Sequence, residues 1–146
     1  MFMVFQTQFF WQLILAMILG GLIGLEREYK KKAAGFQTYS LVALGSCLFT
    51  IIAFSMFDSL TVKTGITFDP SRVINAIAIG MGFIGAGVVF HQGDFIEGLT
   101  TAAGLWLTAA IGVAVGIGAY ILAFFSTILT LVVLVIFGIL ERKLFK

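Results

Sequence analysis

Five stretches of this chain are each long and apolar enough to cross a lipid bilayer, and little sequence is left between them. A spanning helix takes about 17 to 25 predominantly apolar residues, and the windows fall at 9–25, 39–57, 73–90, 99–115 and 120–140. Inside hydrocarbon each backbone N–H and C=O needs a partner from the chain itself, so windows of this length are expected to be helices. The predicted fold is an all-α integral membrane protein with five transmembrane helices, forming one transmembrane domain over 1–146. Composition points the same way: 60% of residues are hydrophobic, 11% are charged and mean hydropathy is +1.11, which excludes an ordinary soluble domain. The first window lacks the basic start and small-residue cleavage site of a signal peptide, so it is read as a true span.

Within these spans the sequence repeats itself. Gly21-Leu22-Ile23-Gly24 followed by Gly35-Phe36-Gln37-Thr38 matches Gly82-Phe83-Ile84-Gly85 followed by Gly98-Leu99-Thr100-Thr101, at offsets of 61 and 63 residues. Each copy reads as a glycine-rich helix, a short polar segment with carboxylates, and a second helix opened by Gly-x-x-Thr. Lysine and arginine fix the orientation. Seven of them (Arg27, Lys30, Lys31, Lys32, Arg142, Lys143, Lys146) fall on one side and two (Lys63, Arg72) on the other. The positive-inside rule then predicts the N-terminus outside and the C-terminus in the cytoplasm. With that orientation the first four helices form two hairpins related as a parallel repeat.

The punctuation is legible in places. Asp69-Pro70 predicts a helix start, with Asp69 accepting from free amides and Pro70 in the first turn. Thr100 and Thr101 are expected to cap the fourth helix in a similar way. Seventeen glycines are expected to serve close helix packing, with helices 1, 3 and 4 at the tightly packed centre and helix 5 facing lipid or a second copy. Gly80-x-Gly82-x-x-Gly85 matches a dinucleotide fingerprint literally, but it lies inside a span rather than at a strand-to-helix turn, so nucleotide binding is rejected. The basic cluster at Lys30–Lys32 suits anionic lipid headgroups and not nucleic acid, since no aromatic-interleaved basic face accompanies it.

The carboxylates of the two polar segments are the candidate chemistry. Glu26 and Glu28 from one hairpin, with Asp94 and Glu97 from the other, are hard oxygen ligands of the kind Mg²⁺ prefers. The competing reading has Arg27 neutralising them in a salt-bridge lock between the halves. His91 stands beside the second acidic segment as a loop histidine, and Cys47 is a lone small packer within helix 2. No serine elbow or membrane-embedded histidine is present in the sequence, so no enzyme activity and no catalytic residue are expected.

Four blocks in order then resemble the MgtC/SapB family of bacterial inner-membrane proteins: Gly21-Leu22-Ile23-Gly24-Leu25-Glu26-Arg27, Asp69-Pro70-Ser71-Arg72, Gly80 through Gly87, and Gly98-Leu99-Thr100-Thr101-Ala102-Ala103-Gly104-Leu105-Trp106. The resemblance covers about 13–118. It implies functional roles for the motif residues Gly24, Glu26, Arg27, Gly35, Thr38, Asp69, Arg72, Gly82, Gly85, Gly87, Gly98, Thr100, Thr101 and Trp106. It also implies a multi-pass protein of the bacterial cytoplasmic membrane that adapts cells to low magnesium or acid and supports virulence. Such a protein acts by modulating ion homeostasis through a membrane partner, such as the ATP synthase, or through a cation at its cytoplasmic face. The alternative is a small Mg²⁺ transporter or channel. Many relatives carry a soluble domain after helix 5, and this chain is expected to consist of the transmembrane part alone. At Gln37 it departs from the pattern, which has an arginine. A homodimer is the expected assembly.

Overall fold

The computed structural model describes residues 2–64, 69–92 and 95–144. Among the described residues the chain is helical apart from one small hairpin and short connections: α1 (Phe2–Tyr29), α2 (Phe36–Thr64), α3 (Pro70–Val88), α4 (Leu99–Gly116) and α5 (Tyr120–Val132). A wide π turn at Val133–Phe137 carries α5 on into α6 (Gly138–Leu144). The resulting rod and the four preceding helices give five segments long and apolar enough to span a membrane. Helices overrun the apolar windows, because once a backbone ladder is running, polar residues such as Glu26-Arg27-Glu28 extend it into the interface.

α4 sits in the middle, packed against α1, α2, α3 and α5. Its contact with α2 is close because glycine leaves no side chain in the way. A Cβ at Gly112 would lie 2.3 Å from the Ala43 carbonyl oxygen, and one at Gly20 on α1 would lie 2.6 Å from the Tyr39 carbonyl oxygen. Backbones at that separation gain dispersion contacts that lipid tails cannot replace. The core accordingly runs through Ala16, Leu19 and Ile23 of α1, Tyr39, Ala43 and Cys47 of α2, and Leu105, Ala109 and Val115 of α4.

Two expectations fail here. Helix 3 is not central: it packs mainly on α4 and only lightly on α2, and a Cβ at Gly80, Gly82 or Gly87 would meet nothing within 4 Å. Small residues at helical spacing mark a face suited to close packing, but the spacing does not say what packs there. Nor do Thr100 and Thr101 cap α4. Its N-cap is Gly98 with φ +91°, and no side chain caps it. The preceding hairpin dictates that choice, since strands Phe90–Gln92 and Phe95–Glu97 pair antiparallel with Phe90 opposite Glu97 and must turn sharply back into α4. A Cβ at Gly98 would stand 2.0 Å from the Val88 carbonyl oxygen. Gly98→Ala therefore combines left-handed backbone strain with a backbone clash. We expect it to lose about 3 kcal/mol or more, read as a sharp fall in the yield of folded protein beside Gly82→Ala.

The start of α3 follows the expectation. Asp69 is its N-cap, with Oδ1 accepting from the Ser71 amide at 3.0 Å and hydroxyl at 2.7 Å, and Pro70 occupies the first turn. The Ser71 hydroxyl and amide hold the Asp69 carboxyl below its ordinary range. A carboxyl so lowered contributes stability that is fully present above its ordinary value and is lost as pH falls through the lowered one. Asparagine caps equally well without titrating, so thermal melts of Asp69→Asn between pH 7 and 3 should decline less steeply with acid than those of the parent chain.

A charged cluster at one end of the bundle

The last turn of α1 carries a carboxylate between two cations. Glu26 Oε2 accepts from the Arg27 Nε–H, and Glu26 Oε1 lies 2.6 Å from Lys30 Nζ. Little of this cluster reaches the surface: the Arg27 side chain is 3% exposed and that of Glu26 is 11% exposed. Lys30 reaches further, donating to the Leu134 carbonyl oxygen at 3.0 Å. Leu134 lies in the π turn that joins α5 to α6. One ammonium thus ties the end of α1 to the far part of the fifth span.

Glu28, two residues on, does something different. Its Oε2 accepts from the Phe36 amide at 3.1 Å, which satisfies one of the free donors at the start of α2. Gly35 makes this reach available, since a Cβ there would fall 1.7 Å from the same oxygen. Gly24 permits the close return of the chain, with its own missing Cβ only 2.8 Å from the Phe36 Cα.

A third link lies one layer deeper. Tyr39, fully buried on α2, donates its hydroxyl to the Thr101 carbonyl oxygen on α4 at 3.1 Å, within electrostatic reach of Glu26 and Arg27. Gly104 gives that hydroxyl its space, as a Cβ there would lie 2.6 Å away. Tyr39 was not among the sequence-derived candidates. Its only signal was a tyrosine next to the Thr38 of the repeat, too weak to single it out.

The remaining candidates are dispersed. Thr101 is buried in the cluster's second layer while Thr100 is exposed; Gly85 rests on Ala102, while Gly82 and Gly87 face open space. Trp106 lies half exposed on the outside of α4, and Arg72 and Asp69 stand at the start of α3, at the opposite end of that helix from the acidic hairpin. Glu97 is exposed at the end of the hairpin. Asp94 lies outside the described residues, as does the side chain of His91. Among the described residues no group of three or more His, Cys, Asp or Glu side chains is arranged to hold a metal. Both oxygens of Glu26 already face cations and Glu28 accepts from an amide, so what the geometry supplies here is an ion-pair cluster within α1, tied to the fifth span through Lys30.

The MgtC family model matches residues 13–143, nearly the whole chain. This protein belongs to the MgtC family. The chain is 42% identical over 138 residues to the Escherichia coli K12 protein named "Putative magnesium transporter YhiD", covering 94% of this chain and 64% of that protein. It is 44% identical over 103 residues to Protein MgtC of Brucella abortus strain 2308, covering 70% of this chain and 40% of that one. To Protein MgtC of Salmonella typhimurium strain 14028s it is 40% identical over 119 residues, covering 82% and 48%. The chain thus spans less than two thirds of the length of these relatives. No solved structure matches it. Family membership and the five apolar helices together point to a multi-pass membrane protein.

Proposed function

We propose that the chain is a non-enzymatic modulator of ion homeostasis in the bacterial cytoplasmic membrane, acting through the charged end of the bundle. The observation that carries the proposal is the Glu26–Arg27–Lys30 set and its tether to Leu134. A group that competes for Glu26, whether a cation or a basic segment of a membrane partner such as the ATP synthase, frees Lys30 and so loosens the fifth span from α1. This reading faces the cluster to the cytoplasm, with the N-terminus outside and the first four helices as two parallel-repeat hairpins. The excess of basic residues at that end supports it, as does the matching glycine layout of the two halves.

The second reading is a Mg²⁺ transporter, and the name of the E. coli relative favours it. Against it stands the use of the buried hydroxyls. Thr50, Thr108, Thr127 and Thr130 each donate to a carbonyl four residues back in their own helix, leaving no polar path lined by them among the described residues.

One pair of measurements separates the two. Cells lacking their own copy are complemented with the parent chain or with Glu26→Gln/Arg27→Met, which removes the pair's charge at similar volume, and their growth is followed in low magnesium. The purified proteins are tested for Mg²⁺ uptake in proteoliposomes. A folded double variant that fails to support growth, with no uptake by either protein, is the expected result. Normal growth with the double variant sinks the assignment to this cluster, and saturable uptake by the parent chain replaces modulation with transport.

A further inference from the structure

α1 and α2 meet along an open groove of about 490 Å³, lined by apolar side chains and by Gln37 and Ser40. Its α1 wall runs from Met17 to Leu25, with Phe36, Gln37 and Ser40 on the α2 wall. Ser40 is 9% exposed, and its hydroxyl oxygen is buried without a hydrogen-bond partner. It stands at the seam of the two helices, where a Cβ at Gly21 would lie 3.0 Å from it. The buried hydroxyls of Thr50, Thr108, Thr127 and Thr130 all return to a carbonyl of their own helix. That of Ser40 does not, and a buried hydroxyl left unpaired costs free energy that an acceptor entering the groove would restore.

Depth narrows the choice of occupant. From Leu25 to Met17 the wall descends about 12 Å at 1.5 Å per residue, most of the way through one leaflet of a hydrocarbon core about 30 Å thick. A partner's spanning helix would need a seat through the full thickness, whereas an acyl chain ends where this groove ends. Ser40 lies four residues into α2, about 6 Å along the axis from Phe36. The headgroup layer is about 5–8 Å thick on each side. With a phosphate beside the loop that joins the two helices, Ser40 therefore stands at the depth of the ester carbonyls.

Charge agrees. In that loop the Lys31 amide donates to the Glu28 carbonyl oxygen at 2.9 Å and the Lys32 amide to that of Arg27 at 3.0 Å. Lys31 takes the left-handed position, φ +50°, that such helix ends usually give to glycine. The expectation that Lys30–Lys32 act together on lipid is thereby divided. Lys30 is taken up by Glu26 and the Leu134 carbonyl, while Lys31 and Lys32 are exposed and make no ion pair among the described residues. The two free cations, the exposed Gln37 and the exposed ring of Tyr29 thus lie at the shallow end of the groove, the place for an anionic headgroup.

We infer that the α1–α2 groove binds one anionic diacyl phospholipid of the adjoining leaflet. Its phosphate faces Lys31 and Lys32, an ester carbonyl accepts from the Ser40 hydroxyl, and an acyl chain lies along the wall from Leu25 to Met17. This inference does not rest on the proposed function, since Lys31, Lys32 and Ser40 take no part in the Glu26–Arg27–Lys30 set.

Native mass spectrometry of the purified chain in mild detergent, titrated with dioleoyl phosphatidylglycerol, should show one lipid held per chain, and dioleoyl phosphatidylcholine should be held at least tenfold more weakly. Lys31→Gln/Lys32→Gln should weaken phosphatidylglycerol about thirtyfold, and Ser40→Ala about fivefold. Without lipid, Ser40→Ala should melt no lower than the parent, because it removes only an unpaired hydroxyl. Leu22 is 44% exposed and lines the groove, so Leu22→Trp should obstruct the chain's seat, weakening binding at least tenfold while the melt without lipid stays that of the parent. Arg142→Gln/Lys143→Gln removes exposed cations of α6, at the same end of the bundle, and should bind as the parent does. Equal retention of the two lipids overturns the inference, as does a loss in the α6 variant as large as that in the loop variant. Parent affinity in both Ser40→Ala and Leu22→Trp overturns it by leaving surface charge without a groove. Displacement of the lipid by inorganic phosphate at the same concentration overturns it in favour of a free anion.

Discussion

Glu26→Gln is expected to melt about 10 °C below the parent chain. The substitution keeps the shape of the side chain and removes the one charge that both Arg27 and Lys30 face. Arg27 is then a nearly buried cation without a counter-charge, and removing one partner of a buried pair costs about 3–5 kcal/mol. Lys30 is 21% exposed and Glu26 11%, so water relieves part of this and the lower end applies. For a chain of this size each kcal/mol corresponds to roughly 2–4 °C. The double variant Glu26→Gln/Arg27→Met takes out both charges and should recover most of the loss, because a neutral pair of similar volume is close to isoenergetic with a buried ion pair. Circular dichroism melts of the parent, both single variants and the double variant give the coupling directly. A single Glu26→Gln variant within about 2 °C of the parent would mean that the carboxylate and Arg27 are solvated, and that the cluster is no lock.

That cluster was only half legible in the sequence. Glu26, Arg27 and Glu28 stood out as charges where a span ends, and one of the two readings they allowed was a salt-bridge lock between the halves, whereas the ion pairs of Glu26 join residues of α1 alone. Their actual division of labour depends on partners far along the chain. Lys30 finds Leu134, 104 residues away, in a π turn that no residue pattern announces. Glu28 finds the Phe36 amide because Gly35 leaves room, a fact of backbone proximity rather than of composition.

The spans were legible because hydrocarbon imposes its rule on every residue of a segment at once, so the signal accumulates over some twenty positions. A three-residue strand accumulates nothing, and the hairpin at 90–97 was read as a polar loop. Asp69-Pro70 was readable since both residues act on their own local backbone. Thr100 and Thr101 offered a similar local signal, but the positive φ of Gly98, forced by the hairpin's return, gave the cap to glycine. The glycines of α3 misled for a further reason. Spacing shows that a face is narrow, and the single chain does not use that face.

The contrast between used and unused glycines makes the strongest test of the helix arrangement. Gly112→Ala should be among the most damaging single-methyl changes in the chain. Its new Cβ would lie 2.3 Å from the Ala43 carbonyl oxygen and 3.0 Å from both the carbonyl carbon and the Ser46 Cβ, so the obstacle is backbone and cannot rotate away. α4 and α2 must separate, and the packing lost extends beyond the point of contact, because Tyr39, Ala43 and Cys47 share that seam with Leu105 and Ala109. Overpacking of this kind costs about 1–3 kcal/mol where side chains can adjust, and more where only backbone can. Gly82→Ala meets nothing within 4 Å and gains helix propensity, so it should be neutral or stabilising by up to about 1 kcal/mol. Melting both variants in the same detergent reads the difference, expected on the order of 10 °C. Equal melting temperatures would remove α2 from the face of α4 and with it the Tyr39 to Thr101 hydrogen bond, whereas the expected gap places the two helices in contact at the depth where that bond forms.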